Sequence, residues 1–240
     1  KEGEREKHPK VRRAIVAALG KFRKSELVDL LRPLALFDES YLVQAAAARS
    51  LGISKQEAAF DTLVSALSLD SWADVVRAAA IDGLAALRDT RGVPHVQAHM
   101  QYGNSERVRR ASAVALVKLS PDAKAREALE ELLLDTYPNV RFDAVRALGE
   151  LGDVKARGAL RDVVERDLEP RVRRRAREAL ADLADTKKAH GEWKVEIDKV
   201  IDEQSDLKAR LAKLEAKFLK IDRKPTPAKK RVFIPSCRIT

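Results

Sequence analysis

The sequence is short of cysteine and aromatic residues, and it has no long apolar segment. Its one cysteine, Cys237, cannot form a disulfide within the chain, so no covalent crosslink supports the fold. No run of 18 apolar residues occurs, so no contact with a membrane is expected. Aromatic residues make up only 5% of the chain, which favours a core of aliphatic and small side chains. A lone cysteine favours a reducing compartment such as the cytoplasm but leaves the location open.

Motifs for catalysis are missing as well. None of the four histidines begins the H-E-x-x-H pattern that presents two imidazoles and a general base to zinc. The sequence also lacks a glycine-rich phosphate loop and a G-x-S-x-G nucleophile turn. His95 and His99 have a spacing that could hold a metal from one helix face, but no third ligand accompanies them. We therefore expect no catalytic residue, metal or cofactor in this chain.

The sequence does contain a repeat of 32 to 33 residues. Six segments begin with Val and end with Leu eight residues later, and their first residues are 32, 33, 32, 32 and 32 positions apart. The Val and Leu of one segment share a helix face, and small residues recur between them, which lets neighbouring helices approach closely. The segments are 11–19, 43–51, 76–84, 108–116, 140–148 and 172–180.

Each repeat is predicted to be a helical hairpin. Breakers such as Gly20, Gly52 and Gly152 follow the first helix, and a second apolar stretch begins after them. Stacking of such hairpins gives an all-α, right-handed α-α superhelix of about six hairpins, which we assign to residues 1–185. A long amphipathic helix over residues 186–222 and a basic tail over residues 223–240 are expected to follow.

Two charged columns recur at the repeat period. The residue after the opening Val is Arg in five units and Gln44 in the sixth, and an Asp precedes the next first helix in four places. These residues could form a structural ladder, in which each Arg reaches the Asp of a neighbouring unit and nearby carbonyls, or the Arg column could bind phosphates. Recurrence of both columns together favours the ladder. Its members are Arg12, Arg77, Arg109, Arg141 and Arg173 with Asp38, Asp70, Asp135 and Asp167.

A heptad pattern follows the repeats. Nine residues spaced alternately by four and three form one seam over about four heptads. The seam could pack back onto the repeats as a cap, or it could bind another chain, either in self-association through residues 193–221 or on a partner domain. The members are Trp193, Ile197, Val200, Gln204, Leu207, Leu211, Leu214, Phe218 and Ile221.

The repeat core V-R-x-x-A-x-x-x-A-L, followed by L-G-D, resembles short HEAT-like repeats of the phycobilisome-lyase type. Residues 40–52, 74–87 and 105–119 also resemble the C-terminal solenoid of bacterial M1-family metallopeptidases, the aminopeptidase N-like group. That second resemblance covers most of residues 8–222. It implies the C-terminal domain of a zinc aminopeptidase, shaping a peptide cleft, with the catalytic residues outside this chain. The start at Lys1 rather than Met suggests a fragment of a longer protein.

These patterns favour a non-catalytic module that binds a protein or peptide. One candidate surface is the second helix of the third hairpin, with His95, His99 and Tyr102. The other is the heptad seam, with Ile197, Val200, Leu207, Leu211, Leu214 and Phe218. Nucleic-acid binding is a weaker alternative, supported by the net charge of +10. Residues 220–240, with seven Lys or Arg and one Asp, contribute +6 of that charge, which leaves little for the repeats. The repeats themselves are nearly balanced in charge and lack a basic stripe.

Overall fold

In every repeat the first helix begins one or two residues before the opening Val. The computed structural model describes residues 6–184, and after them residues 200, 203–205, 207–208 and 210–211. Over these residues all regular elements are helical, and no strand occurs, which confirms the predicted all-α solenoid. The helices are α1 (Pro9–Leu19), α2 (Glu26–Phe37), α3 (Tyr41–Ile53), α4 (Phe60–Ala66), α5 (Val75–Leu87), α6 (Val93–Met100), α7 (Glu106–Leu119), α8 (Ala123–Leu132), α9 (Pro138–Leu151), α10 (Arg157–Arg166) and α11 (residues 170–184).

Odd-numbered helices are the first helices of the hairpins, and even-numbered helices are the second. Five complete hairpins, α1–α2 to α9–α10, are followed by α11, the first helix of a sixth unit. The second helix of that predicted unit lies outside the described residues. Leucines from both helices of a hairpin, such as Leu31, Leu84 and Leu148, are fully buried in one continuous apolar cluster.

First helices of consecutive hairpins pack at very short range through small residues. The hydroxyl of Ser50 in α3 donates to the carbonyl oxygen of Val16 in α1 at 2.9 Å. A Cβ atom at Gly52 would overlap the carbonyl oxygen of Gly83 in α5. Gly52 was predicted to follow its helix as a breaker, but it is the penultimate residue of α3, which ends at Ile53. It is a glycine because the neighbouring helix leaves no room for a side chain.

The chain divides into two units, Lys1–Lys187 and Lys188–Thr240. The first unit holds the hairpins and the candidate surface described below. In the parts of the chain that the structure covers, no helix has the length and hydrophobicity needed to cross a bilayer.

Candidate protein-binding surface

An aspartate ends three of the hairpins and folds the turn that follows. In each case the carboxylate accepts the backbone N–H of the residue two positions later, as in an Asx turn. The donors are Ser40 for Asp38 at 2.9 Å, Tyr137 for Asp135 at 2.8 Å and Glu169 for Asp167 at 2.8 Å. This bond fixes the direction of the carboxylate independently of the arginine that pairs with it.

The same carboxylates form two-pronged ion pairs with the arginine column. Nε of Arg109 donates to Asp135 at 2.7 Å and its Nη2 donates at 3.0 Å. Arg141 and Asp167 repeat these two distances. Arg12 and Asp38 form the same pair at 3.1 and 2.8 Å.

Each of these pairs joins residues 26 positions apart, the first helix of a hairpin and the end of that hairpin's second helix. The expectation that an Arg reaches the Asp of a neighbouring unit is wrong for these three pairs. The reason is geometric, since closing one hairpin brings the start of its first helix beside the end of its second.

Contacts between units are made through backbone carbonyls instead. Nη1 of Arg141 donates to the carbonyl oxygen of Asp135 at 2.8 Å, while the Asp135 side chain binds Arg109. Nη1 of Arg109 likewise contacts the carbonyl of Asn104 in the preceding turn. Arg109, Asp135, Arg141 and Asp167 thus form one continuous part of the ladder, joined by hydrogen bonds across two hairpins.

The ladder perturbs the ionisation of its members. Burial by itself would raise the pKa of Asp167, but hydrogen bonds from Arg141 and from the Glu169 backbone outweigh it, and the pKa lies below its ordinary value. The pKa of Arg141 is raised, chiefly by its hydrogen bond to Asp167. The pKa of Arg12 is raised by its hydrogen bond to Asp38.

The second and third hairpins depart from this geometry. Gln44 stands where the other units have Arg, and its amide donates to the carbonyl of Leu36 at 3.2 Å. Arg77 has Gly103 in place of its aspartate, so it turns back to the carbonyl of Leu67 at 2.8 Å and to Asp74. For Arg173, in α11, the residue at the aspartate position is 199, which lies outside the described residues.

Beside the ladder runs a row of exposed apolar side chains, one from each of three consecutive hairpins. Tyr102 is 81% exposed, Leu134 87% and Leu168 92%. Tyr102 and Leu134 directly precede the aspartate position of their hairpins, and Leu168 directly follows it. At Leu134 and Leu168 the neighbouring Asp points inward to its Arg, so the adjacent leucine side chain is turned to solvent. We call Tyr102, Leu134 and Leu168 the docking row.

Two clefts connect the members of the docking row. Tyr102 and Leu134 line a cleft of about 450 Å³ between α6 and α8, with Met100 and Leu132 also in its lining. Leu134 and Leu168 line a second cleft of about 550 Å³ between α8 and α10, which also includes Val163. Leu134 and Asp135 line both clefts, so the two clefts are adjacent, and we call the pair the groove.

The Tyr102 end of the groove is braced by a buried cation. The guanidinium carbon of Arg109 lies 5.7 Å from the centre of the Tyr102 ring and 5.4 Å from that of Tyr137. Both distances are within the range of cation–π attraction. Arg109 is only 3% exposed and also holds Asp135, so one side chain organises the aromatic end of the groove and the ladder together.

The two histidines predicted with Tyr102 occupy other surroundings. His95 packs edge-on against Phe60, with 6.2 Å between ring centres. Nδ1 of His99 lies 2.7 Å from the carbonyl oxygen of His95, so this nitrogen carries the hydrogen. Within the described residues no three His, Cys, Asp or Glu side chains are grouped to hold a metal ion. Of the three predicted residues, the structure places only Tyr102 on the groove.

The predicted heptad seam is described in part. Val200, Leu207 and Leu211 lie in helical conformation, and each is more than half exposed. Ile197, Leu214 and Phe218 lie outside the described residues.

The repeat geometry agrees with a known family. The model for HEAT repeats matches residues 4–85, 66–138 and 93–181, which together cover most of the chain. The chain belongs to the HEAT-repeat family. No curated protein matches its sequence significantly.

Several solved structures are similar to this chain. One, the complex of CpcE and CpcF of phycocyanin lyase from Nostoc sp. PCC7120, is 23% identical with a TM-score of 0.54, over 65% of this chain and 99% of that chain. Human deoxyhypusine hydroxylase is 16% identical with a TM-score of 0.43, over 75% and 81%. A computationally designed armadillo repeat protein for modular peptide recognition is 20% identical with a TM-score of 0.46, over 70% and 92%. Nothing in these comparisons supports the predicted resemblance to M1 metallopeptidases.

Proposed function

We propose that this HEAT-repeat chain is a non-catalytic interaction module that holds a protein partner along the docking row. The observation that carries the proposal is the exposure of Tyr102, Leu134 and Leu168 in three consecutive hairpins. Single exposed leucines are ordinary on protein surfaces, but a contiguous apolar patch marks an interaction site. Here the exposed side chains are connected in pairs, because Tyr102 and Leu134 line one cleft and Leu134 and Leu168 line the next.

The setting of the row supports binding rather than chemistry. Asp135 and Asp167, which adjoin Leu134 and Leu168 in the sequence, are already engaged by arginines and by the Asx turns. They fix the backbone beside the row, which reduces the entropy lost when a partner is bound. We do not propose a role in an M1-like aminopeptidase, since no comparison supports it.

The experiment is selection of a displayed random peptide library on the full chain. We expect enriched peptides whose binding is lost in the double variant Leu134→Ser and Leu168→Ser. The matched control is Phe22→Ser, because Phe22 is also exposed but lies in the turn between α1 and α2. Enriched peptides that bind the double variant as well as the wild type, or no enrichment at all, would contradict the proposal.

Self-association through residues 193–221 is a second candidate. It is favoured by the exposure of Val200, Leu207 and Leu211, which occupy three of four consecutive positions of one heptad seam and would be shielded in a coiled coil.

A further inference from the structure

Basic side chains recur after the first helices of the first three hairpins. Arg23, Lys55 and Arg88 each stand 12 residues after the opening Val of their unit, in the turns that follow α1, α3 and α5. All three side chains are exposed. The fourth and fifth hairpins have Ser120 and Gly152 at this position, so the near balance of charge over the repeats as a whole conceals the pattern. We call Arg23, Lys55 and Arg88 the basic column.

Hydrogen bonds connect the three turns that carry the column. The side-chain amide of Gln56 donates to the carbonyl oxygen of Arg23 at 3.3 Å, which joins the second turn to the first. Nζ of Lys55 donates to the carbonyl oxygen of Ala86 near the end of α5, which joins the second turn to the third. The pKa of Lys55 lies below its ordinary value, because its ammonium is partly withdrawn from water and because Arg88 and Arg23 repel its charge. The three cations therefore lie close together on one surface.

The backbone is strained at two members of the column. Lys55 has φ of +60° and Arg88 has φ of +62°, both in the left-handed region that glycine enters most readily. In the fifth hairpin the same repeat position is Gly152, with φ of +74°. Glycine is thus the residue that suits this turn, yet the second and third hairpins carry a long cationic side chain there. Backbone strain of this kind clusters at functional sites, which points to a role for both side chains.

Stabilisation of a helix end explains only one of the three side chains. A cation near a helix C-terminus can donate to the free carbonyl groups there, and Lys55 does so at Ala86. Within the part of the chain that the structure describes, the side chains of Arg23 and Arg88 form no hydrogen bond and no ion pair. Their guanidinium groups are therefore available to a ligand.

Acidic side chains alternate with the column along the chain. Glu57 follows Lys55 by two residues, and Asp89 directly follows Arg88. Arg91 pairs with both carboxylates, at 3.1 Å to Glu57 and 2.8 Å to Asp89, so they do not cancel the charge of the column. They do repel a ligand whose negative charges are continuous. The column therefore favours a ligand whose negative charges are separate.

From the position, availability and charge of these side chains we propose that the basic column binds an acidic segment of a partner protein, through separate Asp or Glu side chains. Nucleic acid is the competing ligand, but it carries a phosphate about every 3.4 Å along each strand, a continuous charge that Glu57 and Asp89 repel. The inference goes beyond the proposed function. The turns of the column join first to second helices, whereas the docking row lies in turns between hairpins, at the other end of the helices.

The test is fluorescence anisotropy of the full chain with a labelled peptide of alternating Glu and Ser. The comparison ligands are the same peptide with Gln in place of every Glu, and an oligothymidylate of equal length. We expect the Glu peptide to bind about tenfold more tightly than the Gln peptide at low salt and to lose most of this difference at high salt, because exposed charges are screened. It should also bind more tightly than the oligothymidylate.

Two variants of equal net charge separate the column from general attraction. Arg23→Ser with Arg88→Gly removes two members, and Arg13→Ser with Arg107→Ser removes two exposed arginines near the starts of α1 and α7. We expect the first pair to weaken binding of the Glu peptide about tenfold and the second by less than about twofold, since the basic residues 223–240 are the same in both. Because glycine suits φ of +62°, Arg88→Gly alone should keep or raise Tm in circular dichroism, so that lost binding does not reflect unfolding.

Three results would overturn the inference. Equal affinity for the Glu and Gln peptides would show that charge does not direct binding, and equal weakening in the two double variants would show that the column is not the site. An oligothymidylate that binds more tightly than the Glu peptide, and whose binding depends on the column, would make the surface a nucleic-acid site. Leu134→Ser should leave the affinity for the Glu peptide unchanged, so failure of the docking row and failure of the column are distinguishable.

Discussion

Arg77 and Asp70 contact each other at 3.4 Å, and each occupies a repeat position whose regular partner is missing. The residue 26 positions before Asp70 is Gln44 rather than Arg, and the residue 26 positions after Arg77 is Gly103 rather than Asp. The side chain of Asp70 is fully exposed, so this contact replaces two buried pairs with one that water screens. The ladder is therefore interrupted in the second and third hairpins.

Restoring the missing arginine should stabilise the protein. In Gln44→Arg the new guanidinium can reach Asp70 as the arginines of other hairpins reach their aspartates. We expect a gain of about 0.5–1 kcal/mol, which corresponds to a rise in Tm of roughly 1–4 °C for a unit of this size. Thermal denaturation followed by circular dichroism measures it.

Gly103→Asp is the instructive comparison for that variant. It restores the other missing partner, but Gly103 has φ of +104°, a conformation that side chains other than hydrogen rarely adopt. We expect no gain from it. An unchanged Tm for Gln44→Arg would show that position 44 does not share the ladder geometry.

Removing one partner of a buried pair should be costly. Arg109 and Asp135 have side chains only 3% and 4% exposed, so Asp135→Ala leaves an uncompensated cation out of water. We expect a loss of about 3–5 kcal/mol in the free energy of unfolding. Asp70→Ala, at a fully exposed carboxylate of the same column, should have a much smaller effect, because water screens that charge. Equal losses in urea denaturation would argue against the ladder as a structural device.

Because first helices pack so closely, we expect a substitution at Gly52 to lower the stability of the protein strongly. In Gly52→Ala the new methyl group meets the backbone of Gly83 and must push α3 and α5 apart. Overpacking of this kind costs about 1–3 kcal/mol. Gly158→Ala in α10 is the control, because a Cβ there meets nothing within 4 Å. It should be neutral or stabilise by up to about 1 kcal/mol. A neutral Gly52→Ala would contradict the helix spacing.

The lowered pKa of Asp167 predicts how stability depends on pH. The folded state favours the ionised carboxylate, so this group contributes stability above its unfolded pKa, whose ordinary value is 3.8. The contribution is lost as pH falls from there through the folded pKa. Asp167→Asn should therefore lower Tm at neutral pH, and its difference from the wild type should shrink below about pH 4. A difference that stays constant down to acidic pH would contradict this assignment.

The second unit provides a test of self-association. If Leu207 and Leu211 lie in a coiled-coil seam, the double variant Leu207→Asp and Leu211→Asp should shift the chain to monomer in sedimentation experiments. Lys208→Asp is the control, since Lys208 is an exposed residue of the same helical stretch outside the seam. A wild-type chain that is already monomeric at high concentration would rule out association through this seam.

Most of the hairpin register could be predicted because it depends on short-range periodicity. The opening Val residues are buried in every unit except the first, where Val11 is exposed, and small residues recur where first helices meet. Gly52 was misread because a glycine that ends a helix and one that admits a neighbouring backbone look alike in a sequence. Only the position of the adjacent helix separates the two.

The docking row was harder to predict, because the exposure of its side chains depends on how the backbone of each turn orients them. Tyr102 was singled out, but Leu134 and Leu168 are ordinary leucines in a leucine-rich sequence. Trp72 shows the same difficulty, because tryptophan side chains are on average highly buried and this one is 71% exposed. A signal did exist for the leucines: each adjoins an aspartate of the recurring column, and an inward Asp turns its neighbour outward. The brace of Arg109 between Tyr102 and Tyr137 joins a residue of α7 to residues of the turns before α7 and before α9, which no local pattern relates.

The hydrogen bonds of the fourth and fifth hairpins are nearly identical, and this has a consequence for how the number of repeats can change in evolution. Arg109 with Asp135 and Arg141 with Asp167 have the same two distances, and the second pair binds to the turn left by the first. Duplication or loss of one 32-residue segment of the gene would leave an equivalent junction on either side. Evolution can thus lengthen or shorten the groove by whole steps, adding one apolar contact at a time, without redesigning the joints.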